Sequence, residues 1–270
     1  MFKPHLKEIA MLRLLINIHD AKDRYEAASD QLMRQGLDFK RVEAVDGRGK
    51  PASAFPQYDA LRSSQFFGRE LIGGEIGCYL SHLNCVQEFL ESDESYCLVL
   101  EDDMSAPENL ALTLDQLISA LEYYEALRWD VINLGRATPN LRTAIASMDA
   151  HKLFHAHYFP VTTTALLWSR HGAQAFWDTR NCIYAPVDHF LRNFCCLRGS
   201  GLCLDPPLIT STGAESLINA GCSNAKMPTK QRATKQMNLV VFKLWKEFCR
   251  QSINYLWATK SFLKTRLGLK

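Results

Sequence analysis

The sequence predicts an α/β fold, in which a sheet of buried strands carries helices on its faces. Three observations point there. Apolar runs of strand length alternate with segments of helical period, starting strand–helix–strand over residues 11–45, the order of a βαβ unit. The 270 residues are 47% hydrophobic and 22% charged, a globular composition that excludes collagen-like, low-complexity and wholly disordered chains. Charge is also segregated. Residues 226–270 hold eleven Lys or Arg against one acid, Glu247, whereas the first 225 residues carry 20 basic and 28 acidic side chains. An acidic body with a basic tail divides the chain into an α/β domain over 1–221 and a tail over 222–270.

The elements follow in order. Met11–Ile18 is short, apolar and β-branched at its end, as a central strand is. Asp20 opens a helix to Arg34, with Tyr25, Ala28 and Leu32 on one face and Gly36 as its stop. Phe39–Val45 is a second strand, ending at the turn dipeptide Asp46-Gly47. Residues 48–71 have no period and read as an ordered surface loop. Helical spacing returns at Ile76, Leu80, Leu83, Val86 and Leu90, and the strand Tyr96–Leu100 runs into Glu101-Asp102-Asp103. A helix over Leu110–Leu127 and a strand over Trp129–Leu134 come next. Residues 152–168 read as two strands hinged near Pro160. Ser169 and Asp188 are expected to cap helices through Trp177 and Leu197. A strand from Gly201 closes the regular part.

In the tail, Val241, Leu244, Trp245, Phe248, Ile253, Tyr255, Leu256, Phe262 and Leu263 are interleaved with lysines and arginines. This is the pattern of one or two basic amphipathic helices. Two placements suit it: on an anionic membrane surface, or with the apolar stripe against the body. No recognised nucleic-acid motif accompanies the charge, so no nucleic-acid partner is expected. The nine cysteines contain no C-x-x-C pair, and several sit in apolar runs, which suits buried reduced thiols. The first ten residues lack a signal-peptide core, and no window approaches the roughly 20 apolar residues of a membrane span. A cytosolic protein is expected.

Two runs carry chemistry. Glu101-Asp102-Asp103 places three carboxylates at a strand end, where ligands of open α/β sheets bind. Hard oxygen ligands there suit magnesium or manganese with substrate phosphates; a solvated turn before a helix start is the other reading. The second run is Gly73–His82. Its glycines permit close approach of a chain or ligand, and Ser81 and His82, one to two turns in, are within reach of a sugar or phosphate. A structural histidine is the commoner role for His82 taken alone. His151, His155 and His157 suggest zinc, and His155 and His157 share one strand face, but no fourth ligand completes a site.

In combination these runs resemble glycosyltransferase family 25, the lipooligosaccharide galactosyltransferases related to collagen galactosyltransferase. The matching pieces stand in order over about residues 12–220: Ile16-Asn17-Ile18 with Asp23-Arg24, Ala44-Val45-Asp46-Gly47, Gly74-Glu75-Ile76-Gly77-Cys78 with Ser81-His82, Leu100-Glu101-Asp102-Asp103, Trp129-Asp130-Val131-Ile132, Ser169-Arg170, Pro186-Val187-Asp188 and Glu215-Ser216-Leu217-Ile218. Each is weak alone; the ordered set is specific.

The resemblance implies a GT-A-like mixed sheet and an inverting, metal-dependent transfer of a hexose, galactose from UDP-galactose first, to a lipooligosaccharide core acceptor. It implies Asp103 as ligand of Mn2+ or Mg2+, with Asp102 or Glu101 at the ribose or behind the metal. Asn17, Arg24, Asp46, Gly74, Ser81 and His82 are its expected nucleotide-sugar contacts. Asp188 is the expected base, with Glu75 in competition. The expected location is the cytoplasmic face of the inner membrane, held there by the tail. UDP-glucose and UDP-N-acetylhexosamine are alternative donors. The rival functions are a magnesium-dependent phosphoryl-transfer enzyme and a sugar-binding homologue without turnover.

Overall fold

An eight-stranded mixed sheet organises the computed structural model, which describes residues 11–213 and 251–267. The run Glu215–Ile218 and the tail before residue 251 lie outside the described residues.

Strand β1 (Met11–Asn17) pairs in parallel with β2 (Lys40–Glu43) on one side and β3 (Tyr96–Glu101) on the other. Helix α1 (Lys22–Met33) crosses from β1 to β2, so the expected βαβ unit forms. Gly36 follows at φ +66°, a left-handed conformation that glycine adopts without strain. Beyond β3 the direction changes. Strand β8 (Ala165–Ser169) is antiparallel to both β3 and β5 (Val131–Asn133), and β9 (Gly201–Asp205) returns parallel to β5. Strands β7 (His151–Ala156) and β6 (Arg142–Met148) complete the far edge as an antiparallel pair. A two-stranded ladder joins β4 (Met104–Ser105) to β10 (Thr210–Ser211).

Side chains alternate across this sheet, giving one apolar core on each face. Leu14, Cys97, Val99 and Trp168 face α3 (Gly73–Glu91), α5 (Arg170–Trp177) and α6 (Val187–Arg198). Leu15, Leu98, Leu100 and Leu167 face α1 and α4 (Leu110–Tyr123). Arg170 closes the far end of α3 by donating to the carbonyls of Leu90 at 3.2 Å and Glu94 at 2.9 Å. Asp130, buried before β5, receives Arg198 and Ser200. Burial would raise its carboxyl; those two donors outweigh it and hold it below the ordinary range.

Several expectations are corrected. Residues 48–71 are not all loop: α2 (Ala60–Phe66) forms there, capped by Asp59, whose side chain accepts from Arg62 N at 2.8 Å. Asp188 does not cap α6. Pro186 holds that position and Asp188 sits in the first turn, whereas Ser169 caps α5 as expected, accepting from Gly172 N at 3.0 Å. Strand β6 was not anticipated. Seven described cysteines are free thiols, five of them buried.

Residues 251–267 form a helix, α7. Asn254 and Ala258 are buried against the body, and His157 Nδ1 lies 2.8 Å from Ser261 Oγ. Ile253, Leu256, Trp257, Leu263 and Leu267 face outward at helical spacing, beside Lys260 and Lys264. The helix therefore docks through Asn254, Ala258 and Ser261, with the Phe262 ring against His157 and Tyr255 against Tyr158. No described helix is long and apolar enough to cross a membrane.

Candidate functional site

Parallel pairing brings the carboxyl ends of β1, β2 and β3 to one edge, with Asn17 beside Glu43 and Ile16 beside Glu101. A cavity opens there. Arg24, Asp46, Gly74, Ser81, His82, Glu101, Asp102 and Asp103 all line it, so eight expected contacts meet in one place. Asn17 is buried in the wall behind them.

The glycine run builds the cavity floor. A Cβ at Gly77 would collide with Val45 O, and one at Gly73 with Gly47 O, so α3 meets the loop after β2 backbone to backbone. Ser81 fixes that contact. Its Oγ accepts from Val45 N at 2.9 Å and donates to Gly77 O at 2.8 Å, which engages its proton and one lone pair within the fold. Asp46 is paired with Arg48, whose hydrogen bond pulls its carboxyl down to about 2 against the effect of burial. Arg48 also reaches Asp20 at 2.9 Å.

The three acids have separate partners. Glu101 accepts from Thr163 Oγ1 at 2.8 Å and lies 3.1 Å from His82 Nε2. Burial would raise the Glu101 carboxyl, but His82 and then Thr163 bring it below its ordinary value. Asp102 takes Asn17 Nδ2 at 2.6 Å on one oxygen and an ion pair from Arg24 on the other. Asp103 accepts from Ser211 Oγ at 3.0 Å through Oδ2. Burial raises the carboxyls of Asp102 and Asp103, and the charge of Glu101 adds to this in both.

A divalent cation fits this donor set. Asp103 Oδ1 is buried without a hydrogen-bond partner among the described residues, and it is a hard oxygen beside two further carboxylates. Cys78, His82 and Glu101 form a second possible ligand group, their ligand atoms all within 4.8 Å of one another. The four-residue spacing of Cys78 and His82 on one helix was the available sequence signal for it. Thr163 and Ser211 gave none, being hydroxyls on segments with no motif.

Glu75 and Asp188 line an adjoining cavity, which shares Cys78 and Glu101 with the first. Glu75 is engaged: it accepts from Arg69 at 2.5 and 2.8 Å and from Ile72 N at 3.0 Å, closing the α3 N-terminus. Asp188 accepts from His189 N at 2.7 Å and is half-buried on the cavity wall. The candidate histidines of a zinc site are used otherwise, His155 toward Gly199 O at 2.9 Å and His157 between Thr143 and Ser261.

Compared with known proteins, residues 11–191 match the sequence profile of glycosyltransferase family 25 (LPS biosynthesis protein). Procollagen galactosyltransferase 1 of Danio rerio is 31% identical over 186 residues, covering 66% of this chain and 30% of the relative. Human procollagen galactosyltransferase 2 is 33% identical over 186 residues, covering 66% and 29%. Human inactive glycosyltransferase 25 family member 3 is 30% identical over 183 residues, covering 66% and 30%. The chain thus spans about three tenths of the length of these relatives. A solved glycosyltransferase involved in glycosylation of the PBCV-1 major capsid superposes at a TM-score of 0.41 with 12% identity, over 75% of this chain and 94% of its own.

Proposed function

Since the chain belongs to glycosyltransferase family 25, we propose that it transfers a hexose from a UDP-sugar, galactose first among donors, to a lipooligosaccharide core with inversion. The observation that carries this reading is the cavity at the ends of β1–β3, where Arg24, Asp46 and the acidic run meet the glycine-seated start of α3. UDP-glucose and UDP-N-acetylhexosamine fit the same arrangement of residues.

Asp103 is the metal ligand in this reading, for manganese or magnesium. When bound, the ion supplies Lewis-acid stabilisation of the negative charge left on the departing UDP. Arg24 and Asn17 hold Asp102 toward the nucleotide. Asp188 takes the proton of the acceptor hydroxyl as that oxygen bonds to the anomeric carbon and the bond to UDP breaks. Glu75, committed to Arg69 and the helix start, acts as a positioning residue. Retention of both Asp103 and Asp188 favours turnover over a sugar-binding homologue.

The outward apolar and basic face of α7 supports a second part of the proposal, attachment to an anionic membrane at the cytoplasmic face of the inner membrane. Cosedimentation with phosphatidylglycerol vesicles tests it. Leu256→Glu with Trp257→Glu is expected to abolish binding at least tenfold, and unchanged binding would remove this part.

The site itself is tested by calorimetric titration of UDP with manganese and then EDTA, on wild type and Asp103→Ala. Metal-dependent binding lost in the variant is expected. Folded protein that binds no UDP in either condition would overturn the proposal.

A further inference from the structure

A third cavity, about 380 Å³ and the largest of the three, shares His189 with the cavity that Asp188 lines. The first and second share Cys78 and Glu101; the second and third share His189. A groove therefore leads from the acidic run past the proposed base to the surface beside α7. Tyr158 and Tyr255 form its aromatic wall, in edge contact at 5.9 Å, with the Arg192 guanidinium 4.3 Å from the centre of the Tyr158 ring. Tyr255 comes from α7, so the tail helix completes the groove.

Its charge is one-sided. Among the described residues its lining contains Arg136 and Arg192 and no Asp or Glu. Arg192 donates to Phe159 O at 2.7 Å and to Tyr158 Oη at 3.3 Å, yet neither it nor Arg136 forms an ion pair among the described residues. The half-buried Arg192 guanidinium feels the charge of Asp188 on the same helix but touches no carboxylate among the described residues, an arrangement that leaves it able to receive an anion from outside. Arg192 also stands four residues after Asp188, so both project from one face of α6, about one helical turn apart.

We propose that this groove seats the acceptor as a saccharide chain bearing a negatively charged substituent, contacted by Arg192 and Arg136, within about one sugar unit of the hydroxyl presented to Asp188. The inference rests on the glycosyl-transfer reading above and specifies its acceptor. The aromatic wall gives the apolar faces of sugar rings a surface to stack on. The anion is either a sugar carboxylate or a phosphate ester, both matched by planar guanidinium donors.

Direct titration tests this independently of turnover. Mannobiose, its mannuronate counterpart and mannobiose 6-phosphate are titrated into the full chain, wild type and the variants Arg136→Gln, Arg192→Lys and Tyr255→Ala. Wild type is expected to bind at least one charged disaccharide about tenfold more tightly than mannobiose, and which one identifies the anion. Arg136→Gln, on an exposed side chain, and Arg192→Lys are expected to remove that preference with UDP affinity unchanged, while Tyr255→Ala weakens all three ligands. Equal binding of neutral and charged probes, or a preference that survives both arginine changes, would overturn the inference. Loss of UDP binding in wild type would instead strike the transferase reading.

Discussion

Asn17 and Asp102 meet across neighbouring strands, Asn17 Nδ2 donating to Asp102 Oδ2 at 2.6 Å while Asn17 Oδ1 accepts from Arg41 at 2.5 Å. One buried amide thus joins a cation on β2 to the carboxylate after β3. Asn17→Ala removes one hydrogen bond from each partner, leaving Asp102 with Arg24 and Arg41 with the Tyr25 ring, and is expected to cost about 1–3 kcal/mol of stability. Asn17→Asp sets a carboxylate against Asp102 and is expected to cost more. Urea unfolding of the two variants checks the order; a smaller loss for Asn17→Asp would contradict it.

Asp188 and Glu75 are separated by what they already hold. Asp188→Asn is expected to lower kcat about 10²–10⁴-fold, the range of a lost general base, with UDP affinity within twofold of wild type. Glu75→Gln is expected to act chiefly on stability, because Arg69 and Ile72 N lose their charged acceptor. Steady-state rates beside unfolding midpoints distinguish these roles, and a larger kcat effect at Glu75 would exchange them.

Gly77→Ala drives a methyl into Val45 O, a backbone atom that moves only with its loop. A loss of about 1–3 kcal/mol is expected, as for other overpacked sites. Because that loop carries Asp46, UDP affinity is expected to fall as well. Gly49→Ala, where φ is +68° but no atom lies within 4 Å, serves as comparison: it strains the backbone without moving α3. Equal UDP affinity in the two variants would separate the glycine seat from the cavity.

His157 ties α7 to the body. Burial, with the charge of His155 beside it, lowers its pKa from 6.5 to about 3. The unfolded chain binds this proton below pH 6.5 and the folded chain only below about 3, so stability is lost as pH falls through that window. At pH 5 the loss is about 2 kcal/mol, from about 1.5 pH units at 1.36 kcal/mol each. His157→Gln is expected to flatten this dependence, read as hydrogen exchange of α7 amides between pH 7 and 5.

Much of the site was legible because its chemistry is local in sequence. The acidic run follows the compact apolar strand Tyr96–Glu101, and glycines at the start of α3 announce a close approach. What stayed hidden has physical reasons. Strand β6 reads Arg-Thr-Ala-Ile-Ala-Ser-Met, small residues half exposed on a sheet edge, with little apolar contrast to detect. Helix α2 is seven residues long and depends on Asp59 for its start. The docking of α7 departs from the usual rule, since Asn254, Ala258 and Ser261 face the body together with the Phe262 ring, whereas Ile253, Leu256, Leu263 and Leu267 face outward.

Every described residue lining the innermost cavity falls between Ile16 and Asp103, whereas the described lining of the outermost begins at Arg136. The two ends of the groove are thus encoded in separate stretches of the gene. In the proposed transferase reading, a crossover just after the codon for Asp103 would exchange the acceptor end while keeping every described residue that lines the carrier end, though not Thr163 and Ser211 that brace its acids.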